Sequence, residues 1–177
     1  LKACNQGAKY ANGEYLLFLN NDAVLMGDAV INAIRVFDEE KDVGAVGGKI
    51  LLLDGSLQEA GSIVWDDGSC LGYGRQEKQY EPEYMFRRDV DYCSGAFLLV
   101  RTKIFQSLDG FDMDYAPAYY EETDFCLRLH ENGHRVIYEP HVVILHYEFA
   151  STEKSDDAIN LQKQNRKIFA RKHKEYL

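Results

Sequence analysis

The spacing of apolar positions changes several times along the chain, and each change predicts an element. Residues 2–11 read as the end of a helix, stopped by Asn12-Gly13. The run Tyr15-Leu16-Leu17-Phe18-Leu19 follows, bounded by Gly13 and Asn20, and reads as a strand covered on both faces. Residues 28–40 set Val30, Ile31, Ile34 and Phe37 at helical spacing. Residues 43–53 are rich in β-formers and end at the turn signal Asp54-Gly55. Helix–strand–helix–strand is a unit of an α/β sheet.

The later text is less regular. Residues 61–65 and 70–74 flank Asp66-Asp67-Gly68-Ser69 and predict a hairpin. Residues 76–88 are polar and aromatic without period, a surface loop. Residues 89–101 read as a strand interrupted at Ser94-Gly95, and 102–108 as a short helix. A loop rich in Gly, Asp and Tyr spans 109–120. Residues 121–132, with Phe125, Leu127 and Leu129, predict a helix stopped by Gly133. Two short strands, 136–138 and 142–146, are expected around Pro140. From about Ser155 a basic amphipathic helix carries Leu161, Ile168, Phe169 and Tyr176. This divides the chain into a body, 1–150, and a helical tail, 151–177.

Composition narrows the class. The 177 residues suit one domain, and 46% hydrophobic with 28% charged residues describe a globular chain. No apolar run reaches the roughly 18 residues of a membrane span. The chain opens on Leu1 in helix-like text, so the expectation is a piece of something longer. Net charge is −9, yet residues 150–177 hold seven Lys/Arg against four Asp/Glu. An acidic body argues against a nucleic-acid footprint and suits carboxylate and divalent-cation chemistry. Cys4, Cys70, Cys93 and Cys126 are widely spaced, unlike a zinc or disulfide framework, and imply a reducing, cytoplasmic compartment.

Three constellations have chemical potential, each with a plainer alternative. Asn20-Asn21-Asp22 follows the first strand, where open α/β sheets bind ligands; such residues also simply end strands. Tyr119-Tyr120-Glu121-Glu122-Thr123-Asp124 brings three carboxylates to a helix start; they offer a general base, or merely complement the helix dipole, with Asp124 and Arg128 paired at i, i+4. His146 ends a strand as a metal ligand or a structural group, and odd spacing puts His141 on the opposite face. Ser94-Gly95 and Asp109-Gly110-Phe111-Asp112 allow close backbone approach or are a bulge and a turn. Trp65, the single tryptophan, is expected in the core rather than as a sugar platform.

Order and context add what single motifs lack. The stretch from Asn5-Gln6-Gly7 through Ala11-Asn12-Gly13-Glu14 to Asn20-Asn21-Asp22 resembles family 2 glycosyltransferases, an inverting group with a GT-A fold. So do Val43-Gly44-Ala45-Val46-Gly47-Gly48-Lys49 with Asp54-Gly55, Leu57-Gln58-Glu59-Ala60-Gly61, Ser94-Gly95-Ala96, Gly110-Phe111-Asp112 and Tyr120-Glu121-Glu122-Thr123-Asp124-Phe125-Cys126-Leu127-Arg128. Pro140 and His146 close the series, which covers about residues 3–150. The resemblance implies a partial GT-A (nucleotide-diphospho-sugar transferase) fold, α/β, with a mixed central sheet flanked by helices. The part that grips base and ribose has no counterpart here, so the expectation is that this piece alone is inactive.

The resemblance also implies roles. Asp22 and His146 would hold Mg2+ or Mn2+, with Asn20 at the family's first acidic position. Glu122 stands at the family's base, usually Asp, and Glu121 beside it would contact a sugar. Asn21, Ser94, Gly95, Asp112 and Tyr120 would line donor and acceptor. Asp109 stands where glycine is common. The expected reaction takes a sugar from a nucleotide-sugar donor to a hydroxyl of a saccharide or lipid-linked acceptor, with inversion, in bacterial polysaccharide or glycoconjugate synthesis. The basic tail would touch the inner face of a membrane. Two rival expectations are a non-catalytic sugar- or partner-binding fragment and a metal-dependent hydrolase.

Overall fold

The computed structural model describes residues 1–147 and 156–177. Two long parallel strands, β3 (Val43–Leu51) and β9 (Arg135–His146), form the middle of a mixed seven-stranded sheet. Shorter strands flank them in succession. β8 (Phe97–Arg101) and then β4 (Leu57–Ala60) pair antiparallel with β3. β7 (Arg88–Asp89) and then β2 (Ala23–Met26) pair antiparallel with β9. β1 (Tyr15–Leu19) lies outside β8, so the main path runs β1-β8-β3-β9-β2.

Helices cover both faces. α2 (Ala29–Glu39) lays Ala29, Ala33, Val36 and Phe37 on one face with Val46, Phe97, Leu99 and Ile144. Ile31, expected to face inward, is 51% exposed. The small residues Ala29 and Ala33 let the helix approach the sheet closely, and they set which side turns in. On the other face α1 (Lys2–Tyr10), α3 (Thr102–Ser107) and α4 (Glu121–Glu131) contribute Ala8, Phe105, Phe125 and Leu129. α5 (Asp156–Lys172) lies against the outer side of α4 and completes a smaller cluster of Tyr115, Leu127 and Phe169. That is why Leu127 is buried as fully as Phe125 and Leu129 although they cannot share one helix face. The boundary expected at 150/151 and the start of the tail at Ser155 lie outside the described residues.

Several expectations change. β1 is an edge strand whose burial is partial, with Leu19 39% exposed. The two strands expected around Pro140 are one strand of twelve residues; its register against β3 shifts at Gly48/Lys49 and absorbs the proline. A Cβ on Gly48 would stand 2.3 Å from the Val142 oxygen, so only glycine fits there. The interruption at Ser94-Gly95 is a crossing: β7 pairs with β9, while β8 enters between β1 and β3. The hairpin forms, as β5 (Ser62–Val64) and β6 (Cys70–Gly72). Trp65, beside its turn, is 51% exposed rather than core. The docked face of α5 is less apolar than expected: Asn165, Phe169 and His173 are buried, while Tyr176 lies beyond the helix and 49% exposed.

Candidate active site

The end of β1 and the end of β9 meet. The Asn20 amide bonds the Ala96 carbonyl at 3.3 Å, and the chain turns into β2, whose Ala23 faces His146. Asp22 Oδ1 then stands 3.1 Å from His146 Nε2, and Asn20 Nδ2 stands 3.2 Å from the same nitrogen. His146 Nδ1 faces Gln58 Oε1 at 2.7 Å. A side-chain carbonyl only accepts, so Nδ1 carries a proton toward Gln58, and Nε2 is the nitrogen turned to Asp22 and Asn20. Gln58 gets there through a bulge. Ile50 pairs with Glu59 and Leu51 with Leu57, so Gln58 is the extra residue and its side chain is re-aimed.

These residues fit a divalent cation. Asp22 is a hard oxygen ligand, and the bond at His146 Nδ1 orients the ring with Nε2 toward Asp22, as second partners orient ligating histidines. The 3.1 Å between them is close to the ~3.0 Å separating adjacent ligands that each lie ~2.1 Å from an octahedral ion. Among the described residues no group of three or more His, Cys, Asp or Glu could hold a metal. Two protein ligands with the rest from substrate phosphates and water is the usual Mg2+ arrangement. His141, the other strand histidine, is well exposed and bonded to Glu139 at 2.6 Å.

The next residue on β4, Glu59, joins this pair to the α4 carboxylates. Its Oε1 accepts from the Ser94 backbone N–H at 3.0 Å. Ser94 Oγ accepts from Ala96 N–H at 3.1 Å, closing a tight turn before β8. A Cβ on Gly95 would lie 4.0 Å from Glu122 Cβ. The Ser94–Ala96 turn therefore touches Asn20 on one side and approaches Glu122 on the other.

Glu122 borders a cleft of about 380 Å³ between the β5–β6 hairpin, the start of α4 and α5, with Tyr92, Tyr120 and Lys163 among its walls. Burial drives its carboxyl well above the usual range, and Glu121 and Glu59 push the same way; the backbone N–H groups of Glu122 and Thr123 offset this in part. A helix start by itself stabilises the anion. Burial and two neighbouring carboxylates outweigh the dipole. Glu121 is also raised by burial, and its Oε2 has no hydrogen-bond partner among the described residues. Asp124 goes the other way. Tyr115 Oη, Arg128 Nε and His173 Nε2 bond it at 3.0, 2.7 and 2.9 Å, and although burial pushes its pKa up, these partners hold it down. Of the three helix-start acids, Asp124 is the structural one.

The backbone leading into α4 is strained. Tyr119 and Tyr120 both adopt φ 74°, the left-handed region, at about 1–3 kcal/mol each for non-glycine residues. Asp109 is left-handed too, φ 57°, which explains why glycine suits that position.

Other expected site residues lie elsewhere. Asp112 caps the turn at Met113–Tyr115 and pairs with Lys172, away from the Glu122 cleft. Asn21 is exposed in the turn between β1 and β2. Gln58 and Glu59 were not singled out as site residues. Their signal was available: two polar side chains in a strand-like stretch between Leu57 and Ala60.

The sequence model of the family described as "Glycosyltransferase like family 2" matches residues 1–170. The chain belongs to that family. Among curated relatives, an O-antigen biosynthesis protein, RfbC, of Myxococcus xanthus is 31% identical over 83% of this chain and 12% of its own length. The rhamnosyltransferase WbbL of Escherichia coli is 32% identical over 77% of the chain and 53% of its length. An N-acetylglucosaminyl-diphospho-decaprenol L-rhamnosyltransferase of Mycobacterium tuberculosis is 35% identical over 57% and 31%. The chain thus spans between about an eighth and about half of these relatives. Among solved structures, a mannosyltransferase from Pyrobaculum calidifontis in complex with GDP-Man and Mn2+ superposes with TM-score 0.57 at 16% identity, over 96% of this chain and 41% of its own. GalNAc-T7 with UDP, GalNAc and Mn2+ gives 0.67 at 14%, over 92% and 33%. The fold of this family 2 chain is therefore of the GT-A type, α/β with a mixed sheet flanked by helices. Neither rival reading, binding fragment or hydrolase, is favoured by these likenesses. Among the described residues no helix is long and apolar enough to cross a membrane.

Proposed function

We propose that the protein containing this chain transfers a sugar from a nucleotide-sugar donor to an acceptor hydroxyl with inversion, in cell-surface polysaccharide or glycoconjugate synthesis. The observation that carries the reading is the Ser94–Ala96 turn, which links the Asp22–His146 pair to a part-buried carboxylate, Glu122, at a cleft. Asp22 and His146 would hold Mg2+ or Mn2+, which offsets the charge developing on a departing nucleoside diphosphate. Gln58 keeps His146 in the ligating tautomer.

Glu122 does the proton work. An acceptor hydroxyl in the cleft gives its proton to the carboxylate as its oxygen attacks the anomeric carbon. A carboxylate with a raised pKa is a stronger base than one in water, and Tyr92, Cys70 and α5 wall the cleft beside it. Glu121, with its unpartnered oxygen, bonds a sugar hydroxyl. Relatives named rhamnosyltransferases point to rhamnose or a hexose as donor, and one named for a decaprenyl-diphosphate substrate points to a lipid-linked acceptor. Work at the cytoplasmic face of a membrane follows, with exposed α5 lysines such as Lys167 turned to anionic lipid.

The test is Glu122→Gln in the full-length protein. It should lower transfer by about 10²–10⁴-fold while donor binding, read by calorimetry, stays unchanged. Retained transfer would remove Glu122 as the base.

A further inference from the structure

α5 meets the Glu122 cleft with two faces. Ile159, Gln162, Lys163 and Arg166 line the cleft, while Asn165 and Phe169 meet the residues leading into α4. Asn165 is 1% exposed. Its Nδ2 donates to the carbonyls of Tyr115 at 3.0 Å, Ala118 at 2.9 Å and Tyr119 at 2.9 Å. Two N–H bonds serve three acceptors, so one is shared.

The gripped loop runs directly into the two left-handed residues, Tyr119 and Tyr120. The first bond of α4, Asp124 N–H to Tyr120 O at 2.8 Å, starts there. The Tyr120 hydroxyl donates to Gly68 O at 3.0 Å, and its ring packs on Phe169 with centroids 5.2 Å apart. Glu122 sits two residues later, facing Gly95. Packing alone would not call for an amide at position 165; three converging carbonyls, that of Tyr115 buried and those of Ala118 and Tyr119 part-buried, do, because each needs a donor.

We propose that Asn165 is a positioning residue for sugar transfer: it clamps the turn at 115–119 so that Glu122 is held toward the Ser94–Gly95 turn. This rests on Glu122 as the base. The C-terminal helix is then part of the catalytic apparatus, because it supplies the bonds that hold a strained turn in place.

The test is Asn165→Asp in the full-length protein. The side chain keeps its size, but an ionised carboxylate presents acceptors to acceptors. Its kcat should fall about 10- to 100-fold, the range a small misplacement costs, with donor KM within about twofold of wild type. Hydrogen exchange across 115–124 should quicken. Asn165→Ser, which keeps one donor, should lose less on both counts and serves if Asn165→Asp does not fold. Lys172→Ala removes another α5 tie, to Asp112 and Asp114, and should leave kcat and this exchange unchanged. Quickened exchange with wild-type kcat overturns the positioning role, and unchanged exchange overturns the clamp. A wild type that transfers no sugar instead refutes the sugar-transfer reading on which this rests, while the exchange data still decide on the clamp.

Discussion

A partly desolvated carboxylate crowded by two others costs a fold stability and keeps its place only if something else is gained. Glu122 is such a group. Its folded pKa is raised, so its protonated form is the comfortable one, and the cost of ionising it grows as pH rises through the folded value. Glu122→Gln should therefore raise Tm even as it lowers transfer, with the gain larger at pH 9 than at pH 6; a lower Tm would mark it as a structural anchor. For the same reason the acidic limb of kcat/KM should lie above the usual carboxylate range and collapse in Glu122→Gln. Gln58 offers a second residue test. Gln58→Leu frees the His146 tautomer and should weaken Mn2+ binding by about 10- to 100-fold; unchanged affinity would detach Gln58 from the site. Asp22, Glu122 and His146 are proposed from residue type and motif order, and the structure brings Asp22 and His146 together. Gln58 and Glu59 were not assigned roles, because a bulge that re-aims one side chain leaves no trace in hydrophobic spacing.

Elements with a clear period were read well: α1, α2, α4 and the β5–β6 hairpin appear close to where spacing put them. Those set by tertiary pairing were not. β2 and β4 have four residues each and too few positions to show a period, and they exist because β9 and β3 offer open edges there. Pro140 suggested a break in β9, yet a register shift absorbs it. α5 was misread in its docking face, because Asn165 and His173 are buried by bonding rather than by hydrophobicity. His173 bridges Asp124 and Glu131, at 2.9 and 3.0 Å; burial pulls its pKa down, but these two carboxylates raise it overall above 6.5. The bridge therefore stabilises fully below the unfolded value, and the contribution is lost as pH rises through the folded one. The stability gap between wild type and His173→Gln, read by urea melts, should narrow as pH rises; a constant gap would deny the charged bridge. Phe169→Ala, at a fully buried site, should cost about 3–5 kcal/mol.

At the scale of the molecule, one end of a mixed sheet gathers Asp22, His146, the Ser94–Ala96 turn and Glu122, while α5 lines the far wall of the cleft. The central claim is that Asp22 and His146 make donor binding depend on a divalent cation. The direct measurement is calorimetric titration of UDP, GDP and dTDP into the full-length protein, with Mn2+ and with chelator, for wild type and Asp22→Asn. Binding of one nucleotide that needs Mn2+ and weakens in Asp22→Asn is the predicted result. Binding that ignores both the chelator and Asp22→Asn, or none from a folded protein, would contradict it.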